Sequence, residues 1–546
     1  MTHALYWIHR WAGVVLALFM LVWFASGLVI MYSDTLNQSR EQQLAHAEAL
    51  RPESSWLSLG EAWERSAAGR KALAEADKAK AAETKPAQSS PQQANAKPGP
   101  GPNVIADARL VREAGHPLWL VENGPGKRYA ISAEDGSLHA ATVEDALRIA
   151  SQWVGGKASV SYFDTLETDS TLNNQDSWKP FHRIAVDDGA GSELLVSART
   201  GEVIRASTAF ERGLYYAGNW IHLLKFIDVF GSVETRHDVQ LWLGFGATAA
   251  CLTGLIIGWL RWRPGWFGKP TYSKGRTQPY RDFWWRWHFW GGLIGGTVAL
   301  GWGLSGYLST NPWKIFSNGN PSRAELSAYL GENLPAAMRD WKPEALAGEE
   351  AGKVVELSWR RLGEEAVLLA YTPDGRRLPQ TVEGAASRFS DAALADAARR
   401  LVGGDAQLSQ AAVDDYDSYY YPRRGRGAWD RPLPATRIDF ADQGGSRLYL
   451  DPLDGRVLIK QDQSRRVYRW AFNLLHYWDF GWFNIRPVWD VWMLTWVVLG
   501  LVFSGTSVVL GWKRLKITFR VKKRAKSQVA VTPTISGVSA VETAGG

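Results

Sequence analysis

The chain contains 546 residues, of which 46% are hydrophobic and 21% charged, and its formal net charge is +7. This length excludes a single simple domain, and the lone cysteine, Cys251, excludes intrachain disulfides, CxxC zinc sites, iron–sulfur clusters and CxxCH haem attachment. The positive charge does not indicate nucleic-acid binding, because the Lys and Arg residues concentrate beside apolar segments, as in membrane proteins. Many of the 29 tryptophans lie where these segments meet polar flanks, which is the position of membrane aromatic belts.

Four apolar segments are long enough to cross a bilayer as helices. The sequence predicts spans over 1–33, 239–260, 287–310 and 488–511. The loop and the tail that follow the second and fourth spans are rich in Lys and Arg, so the positive-inside rule assigns 261–286, 512–546 and both termini to the cytoplasm. The first segment is too long for the apolar core of a signal peptide and is predicted to be a retained anchor.

Two long polar regions, 34–212 and 311–466, are predicted to be α+β domains outside the membrane, in the periplasm of a Gram-negative host. Two shorter segments, 213–238 and 467–487, lead from these regions into the second and fourth spans. The expected fold is therefore an α-helical four-span bundle of the inner membrane with two periplasmic domains.

Local patterns within the polar regions predict their secondary structure. Each region combines short β-patterned runs with one amphipathic helix, over 142–154 in the first region and over 390–402 in the second. Hairpin turns are predicted around 198–201 and within 448–459. The segment 68–103 is rich in Ala, Lys, Pro and Gln, and it is predicted to be a flexible insertion without a core.

The chain contains an internal repeat of spans and polar regions. A shift of 279 residues lays His9 on His288, and a shift of 254 residues lays His222 on His476. The same two shifts align Gly13 with Gly292, Trp23 with Trp302, Ser26 with Ser305, Asn219 with Asn473 and Trp242 with Trp496. This repeat predicts a tandem duplication whose four spans are related by an approximate two-fold axis along the membrane normal.

The four repeated histidines are the predicted cofactor ligands. His9 and His288 lie near the cytoplasmic ends of the first and third spans, whereas His222 and His476 lie on the outer side. An ionisable side chain at membrane depth indicates function, and a two-fold axis would bring each equivalent pair together. Two imidazoles without thiolates or a carboxylate cluster, on glycine-lined helix faces, suit bis-histidine haem b.

Other roles for these residues remain open. Zinc normally takes more nitrogen or sulfur ligands, copper would leave the glycine-rich faces without a role, and any single histidine can simply bond a carbonyl or a lipid headgroup.

His237, at the outer start of the second span, has no histidine counterpart in the repeat and is a reserve outer ligand. The pairs Ser26-Gly27 and Ser305-Gly306 allow close approach of a helix or cofactor, although ordinary small-residue packing explains them equally well. Four histidines of the first polar region are predicted to be surface residues: His46, His116, His139 and His182.

Several motifs resemble one known family. The polar regions look like PepSY domains in EDALRIASQWV followed by LLVSARTGEVI, and in DAALADAARRLV followed by RLYLDPLDGRVLI. The sequences IHRWAG, WHFWGG, NWIHLLKF and NLLHYWDFG are similar to the PepSY-associated transmembrane helix (PepSY-TM) family. Members include inner-membrane reductases of ferric siderophores that carry two b-type haems between their helices. The resemblance implies that His9 and His288 bind an inner haem, and that His222 and His476 bind an outer one.

This resemblance implies a haem-dependent ferric-siderophore reductase that passes electrons across the membrane and releases iron for uptake. No Gly-rich dinucleotide fingerprint opens a helix after a strand, so the electron donor is expected to be a quinol or a flavoprotein. The alternative is a non-enzymatic, membrane-anchored PepSY module that binds or regulates a peptidase or another envelope partner. A metal permease is disfavoured because the central parts of the spans contain no Asp or Glu.

Overall fold

The computed structural model describes residues 2–33, 36–83, 105–124, 128–172, 175–266, 268–331, 334–346, 351–422, 427–480, 483 and 485–529. The chain divides into two compact units. The helical unit comprises Met1–Met31, Ile221–Pro312 and Leu475–Gly546, and the sheet unit comprises Tyr32–Trp220 and Trp313–Leu474.

The described part of the helical unit is built on four long helices: α1 (Thr2–Ile30), α7 (Val233–Arg261), α8 (Phe283–Ser309) and α15 (Val488–Val529). Helices α1 and α8 each pack against both α7 and α15, which makes a four-helix bundle. Among the described residues, three helices are long and apolar enough to cross a membrane, over His3–Ile30, Val233–Arg261 and Val488–Arg520. The chain is therefore a membrane protein.

The bundle core is apolar and closely packed. Its buried side chains are Leu16, Met20, Phe24, Ala247, Ala299 and Phe503. Glycines allow the helices to approach each other, because a Cβ atom at Gly500 would overlap the ring of Phe24, and one at Gly244 would lie 3.2 Å from the Cα atom of Tyr307.

Helix ends differ from the predicted spans for identifiable reasons. Helix α7 begins at Val233 rather than at 239, because the Ser232 side chain caps it by accepting a hydrogen bond from the backbone N–H of Thr235. Asp282 caps α8 in the same way, through the backbone N–H groups of its first turn. Helix α15 continues to Val529 instead of ending at 511, because residues 512–529 contain neither Gly nor Pro.

The described part of the sheet unit contains three antiparallel sheets. The largest has the order β11-β10-β9-β1-β2-β3-β4. Its strands are β1 (Ile105–Glu113), β2 (His116–Asn123), β3 (Arg128–Ser132), β4 (Leu138–His139), β9 (Glu356–Leu362), β10 (Glu365–Tyr371) and β11 (Arg377–Pro379). One four-stranded sheet consists of β5 (Val160–Leu166), β6 (Phe181–Val186), β7 (Glu193–Ser197) and β8 (Val203–Ser207). The other consists of β12 (Leu408–Val413), β13 (Ala435–Phe440), β14 (Arg447–Leu450) and β15 (Val457–Gln461).

One amphipathic helix packs on each four-stranded sheet, as the sequence predicts. Helix α5 (Val143–Trp153) covers β6–β8 through Ala146, Ile149 and Ala150, and it begins at a capping box between Thr142 and Asp145. Helix α11 (Asp391–Val402) packs on β13 and β14. The predicted hairpins are confirmed as β7–β8 and β14–β15, with Gly201 and Gly455 at positive φ in their turns.

Further helices connect these elements. They are α2 (Arg40–His46), α3 (Leu59–Arg65), α4 (Ala67–Glu83), α6 (Ala209–Tyr215), α9 (Arg323–Leu330), α10 (Ala336–Asp340), α12 (Gly427–Asp430), α13 (Gln463–Tyr468) and α14 (Leu475–Tyr477). Two π-helical turns, Tyr216–Trp220 and Arg469–Leu474, follow α6 and α13.

The two polar regions do not form separate domains as predicted. Strand β1 of the first region pairs with β9 of the second, with Arg109 opposite Ser358 and Leu110 opposite Leu357. The joint sheet buries one core that contains Leu110, Leu357 and Trp359. Each region therefore completes its sheet with a strand of the other, and the two belong to one unit.

The predicted flexible insertion is helical in its first part. Helix α4 covers Ala67–Glu83, and the Ser66 hydroxyl accepts a hydrogen bond from the backbone N–H of Gly69 at 2.8 Å at its start. This segment is rich in alanine, the strongest helix former, and Ala72 is buried in the sheet-unit core. The rest of the insertion, 84–103, lies outside the described residues, as does 530–546 of the basic tail.

Candidate functional site

The structure brings the four repeated histidines together as two pairs within the helical unit. His9 on α1 faces His288 on α8, with ring centroids 6.2 Å apart and ring planes inclined by 35°. His222, directly after the first π-helical turn, faces His476 on α14, with centroids 6.5 Å apart and planes inclined by 68°. All four side chains are partly buried. Each pair joins the first half of the chain to the second, as the repeat predicts.

These separations suit two imidazoles on opposite sides of one metal ion. A metal–nitrogen bond is about 2 Å long, and the ring centre lies about 1 Å beyond the nitrogen, so two opposed rings would have centroids about 6 Å apart. Both observed separations, 6.2 and 6.5 Å, are close to this value. The separation of the rings in each pair therefore matches the spacing that one metal ion between them would require.

The two pairs lie at opposite ends of the bundle. Along α1, seventeen residues separate His9 from Ser26, which contacts His222, and this corresponds to a rise of about 26 Å. The same spacing separates His288 from Ser305, which contacts His476, on α8.

Backbone carbonyls orient the first pair. The Nδ1–H group of His9 donates to the carbonyl oxygen of Ala250 at 3.1 Å. The Nδ1 atom of His288 lies 3.4 Å from the carbonyl oxygen of Phe503 and 3.2 Å from the Ser507 hydroxyl. Since a carbonyl only accepts, Nδ1 carries the proton and Nε2 keeps its lone pair.

Serine and tryptophan side chains surround the second pair in equivalent ways. The Ser26 hydroxyl lies 3.2 Å from Nδ1 of His222, and the Ser305 hydroxyl lies 3.0 Å from Nδ1 of His476. The indole N–H groups of Trp23 and Trp302 donate to the backbone carbonyls of the same two histidines, each at 3.1 Å. The repeat in the sequence thus corresponds to a repeat of contacts.

A largely apolar cavity lies beside the first pair. His9, His288, Gly13 and Gly292 line it, together with apolar side chains of the bundle. A Cβ atom at Gly13 or Gly292 would meet nothing within 4 Å, so both glycines face open space one turn after their histidines. The glycine face expected from the sequence is therefore open at Gly13 and Gly292, whereas a Cβ atom at Gly27 would lie 3.4 Å from the ring of His222.

The reserve ligand His237 does not join either pair. Its Nε2–H group donates to the carbonyl oxygen of Thr310 at 2.6 Å, and its Nδ1 atom lies 3.6 Å from the carboxylate of Asp238. Within the described residues no ring contact links it to His222 or His476. Because α7 begins earlier than predicted, His237 lies on the first turns of that helix and not in the segment that precedes it.

Larger metal sites are absent from the described part of the chain. There, no group of three or more His, Cys, Asp or Glu side chains could hold a metal ion. The donor sets present are pairs of imidazoles, which are too few for the usual zinc site.

Some residues at these sites were not predicted. Thr253 and Ser507, equivalent in the repeat, place hydroxyls 3.5 and 3.2 Å from Nδ1 of His9 and His288. The signal was the repeat itself, which aligns hydroxyl residues as well as histidines.

The prediction that His182 is a surface residue is wrong, because its ring is buried and bonded to the Thr165 hydroxyl and the carbonyl of Ala141.

Comparison with known proteins identifies the family of the chain. A search of curated protein sequences gives no match. A family model described as the PepSY-associated TM region matches residues 6–403, which is more than half of the 546 residues. The chain therefore belongs to the PepSY-associated TM family.

Proposed function

We propose that each histidine pair holds one haem b between its Nε2 atoms, with His9 and His288 at one end of the bundle and His222 and His476 at the other. The observation that carries this proposal is the separation of the ring centroids, 6.2 and 6.5 Å. When bound, each haem accepts and donates one electron at a time.

The surroundings of the rings support the same proposal. Within the described residues, the Nε2 atoms of His9, His222 and His288 have no hydrogen-bond partner, whereas all three Nδ1 atoms have one. Metal-binding histidines in proteins have this arrangement, because the second nitrogen fixes the orientation of the ring. The open face at Gly13 and Gly292 provides room for a flat macrocycle beside the first pair.

The proposed topology has four spans, with α8 as the fourth, and both termini in the cytoplasm of a bacterium with an inner membrane. Helix α8 has 27 residues, which exceeds the length needed to cross a bilayer. The Lys- and Arg-rich loop 261–286 supports this orientation, because positive residues favour the cytoplasmic side. The sheet unit is then periplasmic. The equivalent contacts of Trp23 and Trp302 support a tandem duplication.

The activity that fits this arrangement is electron transfer across the membrane to a ferric chelate, such as a ferric siderophore. A quinol or a flavoprotein supplies the electron, and one electron converts Fe(III) in the chelate to Fe(II). Hard oxygen ligands hold Fe(II) less tightly, so the iron is released for uptake. The apolar bundle core, including Phe24 and Phe503, keeps water away from the region between the two pairs.

A pyridine haemochrome assay on the purified full chain tests the cofactor. We expect two haems b per chain, one after the combined substitution His9→Ala and His288→Ala, and one after His222→Ala and His476→Ala. His237→Ala is the matched control and should retain both, because His237 bonds to Thr310 instead. A preparation without a Soret band that gains none on addition of haemin would contradict the proposal.

A second experiment tests the reaction. The dithionite-reduced protein, freed of excess reductant, is mixed with a ferric hydroxamate chelate and a dye that traps Fe(II). We expect about two Fe(II) per chain, and none from the variant that lacks all four histidines. If that variant still supports the cellular role of the protein, the non-enzymatic module that binds an envelope partner becomes the better explanation.

A further inference from the structure

Two buried serines contact the second histidine pair in the same way. The Ser26 side chain is 4% exposed and that of Ser305 is 0% exposed. Each hydroxyl oxygen lies within hydrogen-bond distance of a histidine Nδ1 atom, at 3.2 Å for His222 and 3.0 Å for His476. Each hydroxyl also donates to a backbone carbonyl three residues earlier on its own helix, that of Trp23 or Trp302, at 3.1 Å.

Counting hydrogens determines the direction of these bonds. A serine hydroxyl has one hydrogen and two acceptor lone pairs. Because the tryptophan carbonyl takes the hydrogen, the lone pairs of the oxygen face the imidazole, and Nδ1 must be the donor. Each ring is then held as the Nδ1–H tautomer, with the lone pair on Nε2.

The same tryptophans hold the histidine backbone. The indole N–H of Trp23 donates to the carbonyl of His222, and that of Trp302 donates to the carbonyl of His476. One helical turn of α1 therefore holds both the main chain and the ring of His222. One turn of α8 does the same for His476, which lies in the three-residue helix α14.

We infer that Ser26 and Ser305 are positioning residues that fix His222 and His476 in the ligating tautomer and ring orientation. This inference rests on the proposed function, because the two serines would serve to keep Nε2 available as a metal ligand. In the first pair the backbone carbonyls of Ala250 and Phe503 also lie within reach of the Nδ1 atoms, so each ring there has a partner besides the hydroxyl of Thr253 or Ser507. Neutral imidazole in water favours the opposite tautomer, so removal of the hydroxyl should release the ring.

The variants are Ser26→Ala, Ser305→Ala and the double substitution. Ser309→Ala is the matched control, because its hydroxyl donates to the carbonyl of Gly306 at 2.6 Å on the same helix and contacts no histidine in the described residues. The first measurement is NMR of full-length protein prepared without haem and labelled with ¹⁵N-histidine, which distinguishes the two tautomers. We expect the Nε2–H form of His476 to become the major form in Ser305→Ala, and that of His222 in Ser26→Ala, with no change in Ser309→Ala.

The second measurement is low-temperature electron paramagnetic resonance of the haem-loaded chain. We expect two low-spin signals in the parent protein, of which one shifts or broadens in the serine variants while the other stays unchanged. Unaltered tautomers together with an unaltered spectrum in the double variant would overturn the inference. If the chain binds no haem, the proposed function fails, while the tautomer measurement on the haem-free protein still decides the role of the serines.

Discussion

Glu202 is the most densely bonded carboxylate among the described residues of the sheet unit. It accepts hydrogen bonds from Arg109 at 2.8 Å, from Arg128 at 3.4 Å, and from Trp178 and Thr200, both at 2.9 Å. Burial alone would raise its pKa, but the two guanidinium groups outweigh burial and hold the pKa of Glu202 well below its usual value. The ionised carboxylate therefore contributes to stability at neutral pH.

Replacing Glu202 with Gln should destabilise the sheet unit by about 3 kcal/mol at pH 7, because it removes the carboxylate that Arg109 and Arg128 share, although each keeps another carboxylate nearby. This corresponds to a loss of roughly 6 °C in melting temperature. The contribution of a carboxylate with a lowered pKa is complete above its unfolded pKa, near 4.3, and is lost as the pH falls further. The difference between parent and variant should thus shrink below about pH 4. Thermal denaturation of the full chain in detergent measures this difference, with unfolding of the sheet unit monitored by proteolysis.

Glu113 provides a control for which the expected change in stability at pH 7 has the opposite sign. Burial and the nearby carboxylates of Glu202 and Glu48 raise its pKa well above the usual value. The folded state then keeps a proton that the unfolded state loses above about pH 4.3, so this group reduces stability as the pH rises. Glu113→Gln should raise the melting temperature at pH 7 and leave it unchanged near pH 4. A loss of stability at pH 7 would contradict this reading of the cluster.

The glycines beside His9 and His288 allow a second test at this scale. Gly13→Leu or Gly292→Leu would fill open space next to the histidines, so we expect the haem-free protein to fold normally but to lose one of two haems. Gly301→Leu is the control, because its Cβ position is also open but it does not line the cavity. Haem content and melting temperature are the measurements. Two haems in Gly13→Leu would contradict the placement of the cofactor.

Single residues were predictable where the repeat marked them. The two histidine pairs follow from the shifts of 279 and 254 residues, because positions that are equivalent in the sequence repeat face each other in the helical unit. Three of the partners of Glu202 were not predictable, since Arg109, Arg128 and Trp178 lie on elements distant in sequence. His182 was misjudged for the same reason, because tertiary contacts bury it.

At the scale of elements, helix α8 differs from the other three bundle helices. It packs against α7 and α15 but is not among the three apolar helices found long and hydrophobic enough to cross a membrane. Its 27 residues include seven glycines and two serines, which lower hydropathy while allowing close packing. Amphipathic helices and hairpins were predictable from local patterns, whereas the extent of α15 was not, since no stop signal follows Gly511.

The topology can be measured with single cysteines in a Cys251→Ser background. Four spans put both termini on the same side, and three spans put them on opposite sides. We expect cysteines at 270 and at the C-terminus to react with an impermeant maleimide only after the inner membrane is opened, and one at 320 to react in intact spheroplasts. A C-terminal cysteine that reacts in intact spheroplasts would contradict the fourth span.

At the scale of the whole molecule, neither half of the chain completes its own structure. The two polar regions share the sheet through β1 and β9, and each histidine pair takes one member from each half. Local sequence patterns cannot reveal this pairing, because the strands are about 250 residues apart and any of several strand edges has suitable side chains. The fold of each region was therefore predictable, but their union was not.

A cut within 261–286 would turn the protein into an obligate heterodimer. Expressed alone, each fragment would expose the unpaired edge of a strand that is mostly buried in the parent protein, β1 or β9, and such an edge promotes aggregation. Expressed together, the fragments should reassemble by strand addition and restore both haems, which co-purification through a tag on one fragment would measure. Such fragment complementation would allow each half of a cofactor site to be altered or labelled independently, and two well-folded, non-associating fragments would show that the shared strand pair is dispensable.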